Sequence, residues 1–427
     1  MLIKNGLVLN PTASNTLEDI LDLRIENNRI TQISTNLKPD SHETIIDATN
    51  LWVCPGFIDI HCHLRDLKQN VSEDILSGTT AAASGGYTTV VSMANTSPPI
   101  DNILALKDYK KLIAENALIE VLPLASLTKN LESNELVEIY NLAQNDVIGF
   151  SDDGNPFANK GLLYKALLLT KNLNKLIISH PEDKNISSNG VMNLSTKSFN
   201  LGLAGIPQCS ESSCIASEIE LVRETDSCIH FSHVSLAASI KLIHQAKSDG
   251  LKVTCDVTPH HLALSEDNIT NYNTSFKMNP PLRNSFDQMA IIKGIETGIV
   301  DAIGTDHAPH SSSLKCCTFS DAAFGVTGLE TAFSLVYEKM YLSNLISKLR
   351  LISLFTSAPA KILNIDSGNL SIGKLANLTL IDPNQNWDLN KYKTHSKSKN
   401  SPFYNLELKG KVMQTIFQGN CVYQLTI

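Results

Sequence analysis

No apolar run in this chain approaches the ~20 residues that a membrane-spanning helix needs, so an integral membrane protein is not expected. The sequence also lacks any Cys-x-x-Cys pair, and its 9 cysteines are scattered and odd in number. That argues against a regular disulfide framework and for free thiols in a reducing cytoplasm. The adjacent Cys316 and Cys317 make an awkward disulfide and read as incidental. An excess of positive charge is missing too. With 35 Lys and Arg against 43 Asp and Glu the net charge is −8, which speaks against a general partner of nucleic acid or anionic membrane. Met1 to Asn10 has no basic segment leading into a long apolar stretch, so no secretory signal is expected and the location read from the sequence is cytoplasmic. What remains is an ordinary globular balance, 42% hydrophobic and 18% charged over 427 residues, enough to bury a large core.

The chain opens with short apolar runs separated by turns, Leu2 to Leu9, Asp22 to Ile25, Arg29 to Ile33 and Glu43 to Asp47, the pattern of a small β unit. From Pro55 the rhythm changes. Eight strand-like runs recur at intervals of roughly 30 residues with helical patterns between them, as repeated β-α units require. They lie near Phe57 to Ile60, Thr88 to Met93, Ile119 to Ala125, Val147 to Phe150, Lys175 to Ser179, Cys228 to Ser232, Leu251 to Val257 and Val300 to Gly304. Eight such units close a (β/α)8 TIM-type barrel. Helices are expected over 73–84, 104–116, 131–144, 160–170, 210–225, 237–249 and 285–297, then over 327–339 and 345–356. The Gly85-Gly86 pair and Gly250 suit helix ends. β character returns over 371–383 and 409–423, too few strands for a core of their own. The expected organisation is therefore an α/β barrel over 55–365 and a small composite β domain built from 1–54 and 366–427. Lys391 to Ser401, rich in Lys, Ser and Asn, reads as an exposed loop.

The strand ends carry the chemistry. In Pro55-Gly-Phe-Ile-Asp-Ile-His-Cys-His-Leu-Arg65, alternation along an extended strand puts His61, His63 and Arg65 on one face and Cys62 and Leu64 on the other. Asn95 follows the second run, Asp152 and Asp153 the fourth, His180 the fifth and His233 the sixth. His260 and His261 follow the seventh, and Asp306, His307 and His310 the eighth. Each alone is more often a solvated loop residue or a satisfied core histidine. A closed barrel, however, aims its strand ends at one mouth, where such barrels place their active sites. His61, His63, His180, His233, Asp153 and Asp306 would suffice for two zinc ions bridged by a carboxylate, because imidazole and carboxylate without thiolate suit a catalytic site. Paired metals sharpen a shared water into a nucleophile at neutral pH, so hydrolysis of an amide or ester is the natural outcome. His230 precedes His233 by three positions, which predicts opposite faces, with His233 in the pocket and His230 on the barrel exterior. His42, His244 and His395 read as ordinary surface histidines.

Nine stretches tie these residues together: Pro55 to Asp66, Met93-Ala-Asn-Thr96, Phe150-Ser-Asp-Asp-Gly154, Ser179-His-Pro-Glu-Asp183, His230-Phe-Ser-His-Val-Ser235, Val257-Thr-Pro-His-His-Leu262, Met278-Asn-Pro-Pro-Leu-Arg283, Asp301-Ala-Ile-Gly-Thr-Asp-His-Ala-Pro-His310 and Phe324-Gly-Val-Thr-Gly-Leu-Glu-Thr331. With them the chain resembles, over nearly its whole length, the longer class I dihydroorotases of the amidohydrolase superfamily. The resemblance implies zinc-dependent, reversible cyclisation of N-carbamoyl-L-aspartate to (S)-dihydroorotate plus water, a step of de novo pyrimidine biosynthesis. It implies that His61 and His63 hold one zinc, His180 and His233 the second, and that Asp153 bridges them. Asp306 then contacts the first metal and shuttles the proton. Arg65, Asn95, Asn279 and His310 become substrate contacts, with His63 bordering the same site and Phe324-Gly325 offering backbone groups. Arg65 would grip the substrate carboxylate by a two-pronged hydrogen bond. A homo-oligomer or an association with aspartate transcarbamoylase is the assembly this resemblance brings with it.

Five positions depart from the family pattern: Ala94 and Ala323 where proline is common, Leu67-Lys68 for Pro-Gly, and Asn377 for aspartate. None removes a proposed ligand. Ser311 to Ala323 has the length of a lid or of a plain surface loop. Allantoinase- and hydantoinase-type cyclic amidases resemble enzymes bridged by a carboxylated lysine, and 147–154 contains no lysine. An inactive dihydroorotase-like subunit that scaffolds aspartate transcarbamoylase would be marked by lost ligands, and none is missing here.

Overall fold

Five strands open the chain in the computed structural model, which describes residues 1–12, 15–67 and 70–425. They are β1 (Leu2–Thr12), β2 (Asn15–Glu26), β3 (Arg29–Ser34), β4 (Ile45–Asp47) and β5 (Trp52–Pro55). The barrel strands follow as β6 (Phe57–Cys62), β7 (Tyr87–Ser92), β8 (Glu120–Pro123), β9 (Gly149–Phe150) and β10 (Leu176–Ser179). A short ribbon, β11 (Met192–Asn193) with β12 (Gly205–Ile206), interrupts them before β13 (Cys228–Phe231), β14 (Lys252–Val257) and β15 (Ala302–Ile303). The last three strands are β16 (Leu378–Trp387), β17 (Leu408–Phe417) and β18 (Asn420–Gln424).

β6, β7 and β8 form one parallel sheet, and β9, β10, β13, β14 and β15 another. Parallel bridges from Ala125 to Phe150 and from Cys62 to His307 join them on both sides, so the eight strands close as the repeat predicts. Tyr-Thr-Thr-Val-Val-Ser of β7 shows why these runs are strands. It is rich in β-branched residues and buried along its whole length, as a strand covered by helices must be. The helix Ile75–Ser84 starts at an Asp74–Ser77 capping box and stops at Gly85, where a Cβ would meet the Leu329 carbonyl oxygen at 2.2 Å. Gly86 at φ 94° then turns the chain into β7.

Outside the barrel, β5 pairs parallel with β1 and antiparallel with β16, so strands from both ends of the chain share one sheet of eight strands. Ile3, Val8, Leu23, Val53, Leu378 and Ile416 fill its core. Asn377 accepts the Gln418 N–H at 2.8 Å through its side-chain oxygen, a bond that an aspartate would also make.

Four expectations fail, each for a local reason. The helix over 131–144 shrinks to Ile139–Ala143, because the preceding loop wraps around the buried Asp152 carboxylate, which accepts from the N–H groups of Leu127 (2.6 Å) and Thr128 (3.2 Å). The helix over 327–339 starts only at Ala332, since the Gly328 N–H is committed to His307 Nδ1 at 3.1 Å; the helix then runs on as a wider π turn through Tyr337–Leu342. Lys391 to Ser401 is exposed only in part: its lysines face solvent, whereas Ser396, Ser398, Asn400 and Ser401 are buried against the barrel mouth. His230 does not face outward. Ser179, in register with Phe231, donates to Glu218 of the outer helix Cys209–Thr225, so the opposite side of β13, which carries His230, faces into the barrel. There His230 bonds Thr254 (2.8 Å) and Asp256 (2.9 Å). Simple alternation breaks because β13 ends at Phe231 and His233 adopts φ 42°, which turns its side chain inward as well.

Candidate active site

The six predicted ligands meet at the barrel mouth. The Nε2 atom of His61 lies 3.4 Å from Asp153 and 3.5 Å from Asp306, and that of His63 lies 3.4 Å and 3.2 Å from the same two carboxylates. On the other side, His180 Nδ1 is 3.3 Å and His233 Nε2 3.6 Å from Asp153 Oδ1, with 2.9 Å between the two rings' nitrogens. Asp153 thus stands between both histidine pairs. His61, Asp153 and His233 form one triad, and His61, His63 and Asp306 a second, with ligand atoms within 4.8 Å of one another.

Neighbouring side chains set which nitrogen faces the centre. His63 Nδ1 bonds Asn95 Oδ1 at 2.9 Å, leaving Nε2 inward, and His180 Nε2 bonds Glu182 at 3.1 Å, leaving Nδ1 inward. A carboxylate or amide behind a metal-binding imidazole is the usual way of fixing its tautomer. Both ring nitrogens of His61, Nδ1 of His233 and Oδ1 of Asp153 find no hydrogen-bond partner among the described residues, although all are buried. Buried polar atoms are normally paired. Two ligands each ~2.0–2.1 Å from a shared tetrahedral zinc stand ~3.3 Å apart, which the imidazole–carboxylate spacings of 3.2 to 3.6 Å match, while the two nitrogens of His180 and His233 are closer, at 2.9 Å. Electrostatics agree. Burial alone would lower His61, yet the charges of Asp153 and Asp306 push it up to about 9. His180 likewise reaches about 9 against burial, through Asp153 and Glu182. Asp153 is held well below the usual carboxylate range by His61, His180 and His233 in spite of its burial. The cluster is short of positive charge, and a metal cation would supply it.

Above this floor lies a cavity of about 220 Å³ lined by Arg65, Asn95, Asn279, His310, Phe324 and Gly325, among others. Arg65, at φ 57°, leaves β6 in a left-handed turn and reaches the Pro309 carbonyl at 3.3 Å. Asn95 also donates to Asp153, at 3.2 Å to the backbone oxygen and 3.3 Å to the side chain. Asn279 Nδ2 donates to Glu182 at 3.0 Å. His310 Nε2 donates to the Phe324 carbonyl at 2.7 Å, so its 3.4 Å approach to Arg65 is a contact rather than a hydrogen bond. Burial and then the Arg65 charge hold His310 down at about 3, hence neutral. The Gly325 N–H is engaged by the Lys277 carbonyl (3.0 Å) and its C=O by Asn400 (3.0 Å) and Lys315 (3.1 Å).

Other strand-end candidates serve as supports. His307 links Glu73 (3.3 Å) to Gly328, and His261 donates to the Pro280 carbonyl at 2.9 Å beside Asn279. Glu182, Lys315 and Asn400 were not singled out from the sequence. Glu182 carried a signal, two residues after His180; Asn400 carried none. The segment Ser311 to Ala323 is anchored rather than loose, with Lys315 and Phe319 buried, and the Ala323 N–H donates to Leu314 at 3.0 Å, which proline could not. Lys68, of the Leu67-Lys68 departure, lies outside the described residues.

The profile of the amidohydrolase family matches residues 52–422. The chain belongs to that family, whose barrel and histidine-rich floor it carries. Among curated relatives, the dihydroorotase of Thermoanaerobacter sp. (strain X514) is 40% identical over 424 residues, covering 99% of this chain and 97% of the relative. The dihydroorotase of Aquifex aeolicus (strain VF5) is also 40% identical over 424 residues, 99% of both chains. Within the family the chain therefore stands among the dihydroorotases. Among solved structures, L-hydantoinase (dihydropyrimidinase) from Arthrobacter aurescens superposes with a TM-score of 0.89 at 24% identity over 99% of this chain and 96% of that one. Dihydropyrimidinase from Brevibacillus agri NCHU1002 gives 0.85 at 22% over 99% and 95%. These distant likenesses establish the barrel with its added β sheet. Among the described residues, no helix is long and apolar enough to cross a membrane.

Proposed function

We propose that this chain is a dihydroorotase that interconverts N-carbamoyl-L-aspartate and (S)-dihydroorotate in the cytoplasm, using two zinc ions. Its carrying observation is Asp153, an aspartate placed between His61 and His63 on one side and His180 and His233 on the other, where a carboxylated lysine would mark other cyclic amidases. The lysine at the cavity wall, Lys184, is paired with Glu182 at 2.7 Å instead. His61, His63 and Asp306 would hold one ion, His180 and His233 the other, with Asp153 shared. When bound, the ions supply a water of lowered pKa and a Lewis acid for the ring carbonyl.

The protein's own groups do the rest. Burial would raise Asp306, but the close approach of His63 Nε2 and the charges of His61 and His233 hold it below the usual carboxylate range, so it is ionised and able to accept a proton. At 3.2 Å from His63 and 3.5 Å from His61 it stands where the attacking water must lose that proton. It then delivers it to the leaving ring nitrogen. Arg65 would grip the substrate carboxylate, with Asn95, Asn279 and His310, which line the same cavity, as further substrate contacts. In the biosynthetic direction the same groups close the ring and release water.

Zinc-loaded protein should open the ring of dihydroorotate and leave allantoin and hydantoin essentially untouched, as followed by loss of each substrate. Equal turnover of hydantoin would move the assignment to a hydantoinase-type amidase.

A further inference from the structure

Asn400 lies 90 residues beyond His310, in the C-terminal segment, yet it is only 5% exposed and touches both loops of the rim. Its Oδ1 accepts from the His310 N–H at 3.1 Å, while Nδ2 donates to the Ala308 carbonyl at 2.9 Å and the Gly325 carbonyl at 3.0 Å. Its own carbonyl accepts from the Thr327 N–H at 3.0 Å. Every one of these bonds ends on backbone, within the two segments that bring His310 and Phe324 to the cavity. Those segments pass at close quarters. Gly325 sits at φ 140°, and a Cβ there would meet the Ala308 Cβ at 2.6 Å. Lys315 also reaches the Gly325 carbonyl, together with those of Ala323 (2.8 Å) and Lys277 (3.2 Å), and so pins the second loop on its own side. The two loops also meet directly, through the Ala308 N–H on the Val326 carbonyl at 2.8 Å and His310 Nε2 on the Phe324 carbonyl at 2.7 Å, and Asn400 adds the bridge from the C-terminal segment that holds Ala308, His310 and Gly325 at once.

We propose that Asn400 is a positioning residue for substrate binding: it sets His310 and the Phe324–Gly325 backbone in register with Arg65, so that the C-terminal segment governs the pocket's affinity for dihydroorotate. The inference rests on the dihydroorotase assignment. A built-in control lies two residues away. Ser398 anchors the same segment through a 2.6 Å bond from its hydroxyl to the Ser72 carbonyl, a bond that ends on neither His310 nor Gly325.

The test uses the full chain, zinc-loaded, as wild type, Asn400→Ala, Asn400→Asp and Ser398→Ala, with kcat, KM for dihydroorotate, metal content and Tm measured on each. Asn400→Asp keeps an acceptor for His310 but sets a carboxylate against two carbonyls. Both Asn400 variants should raise KM about tenfold or more, with kcat less affected and metal content unchanged. Ser398→Ala should lower Tm and leave KM within about twofold. Unchanged KM in the Asn400 variants, an equal rise in Ser398→Ala, or failure of both Asn400 variants to fold would each overturn the inference and leave Asn400 a stability residue. A wild-type chain that leaves dihydroorotate untouched would instead defeat the functional assignment, and this inference with it.

Discussion

The floor and the rim of the pocket are held by different means. On the floor, His61, His63, Asp153, His180, His233 and Asp306 all lie within three residues of the end of a barrel strand, or on the strand itself. Closing the barrel brings them together, and a single neighbour fixes the ring of His63 (Asn95) and of His180 (Glu182). On the rim, Asn279 and Phe324 come from loops far from any barrel strand end, and His310 from the far end of one. Their positions depend on Glu182, Asn400 and Lys315 reaching in from elsewhere. Changes on the floor should therefore act on the chemical step, and changes on the rim on substrate affinity.

The largest effect is expected at Asp306. Replacing it with Asn removes the proton acceptor while keeping the shape, and kcat should fall about 10²- to 10⁴-fold with metal content near that of the wild type. A smaller loss than about tenfold would take Asp306 off the proton path and blur the line between floor and rim. Arg65→Met comes next. Losing a charge-assisted, two-pronged contact should raise KM for dihydroorotate about 10- to 100-fold, with kcat much less affected. A change in kcat alone would place Arg65 with the floor.

The same contrast explains what the sequence makes legible. Apolar β runs at regular spacing reveal the eight strands, and polar residues just beyond them reveal the floor, because little separates the local pattern from the final position. Asp152 shows the limit even there. It follows β9 as closely as Asp153 does, but its carboxylate turns away to the N–H groups of Leu127 and Thr128. His230 shows another limit: a single left-handed φ at His233 cancels the alternation on which its outward assignment depends. Asn400 lies beyond local reasoning altogether. Its composition is that of a loop, and its burial follows from contacts with Ala308, His310 and Gly325, residues 75 to 92 positions away.

Glu182 sharpens the comparison because it serves both parts, accepting from His180 at 3.1 Å and from Asn279 at 3.0 Å. Glu182→Gln should weaken metal binding about 10- to 100-fold, measured by competition with a chelator, and raise KM more modestly. Unaltered metal affinity would confine Glu182 to the rim.

The smallest effect concerns how the rim is supported at low pH. His261 is fully satisfied as a neutral ring, with Thr258 Oγ1 at 2.7 Å and its Nε2–H on the Pro280 carbonyl at 2.9 Å, next to Asn279. Burial lowers it to about 4, against the opposing pull of the Pro280 bond. In the unfolded chain the same ring titrates near ~6.5. Its contribution to stability is therefore complete above that value and is lost as pH falls from ~6.5 toward the folded value, because only the unfolded state takes up the proton. Between pH 7 and pH 5.5 this amounts to about 1 kcal/mol. The unfolding free energies from urea titrations at those two pH values should differ less in His261→Gln than in the wild type by that amount, even though the variant is less stable at both. An identical pH dependence would mean that His261 is protonated without loss of its place beneath the Asn279 loop, and that this part of the rim is as locally determined as the floor.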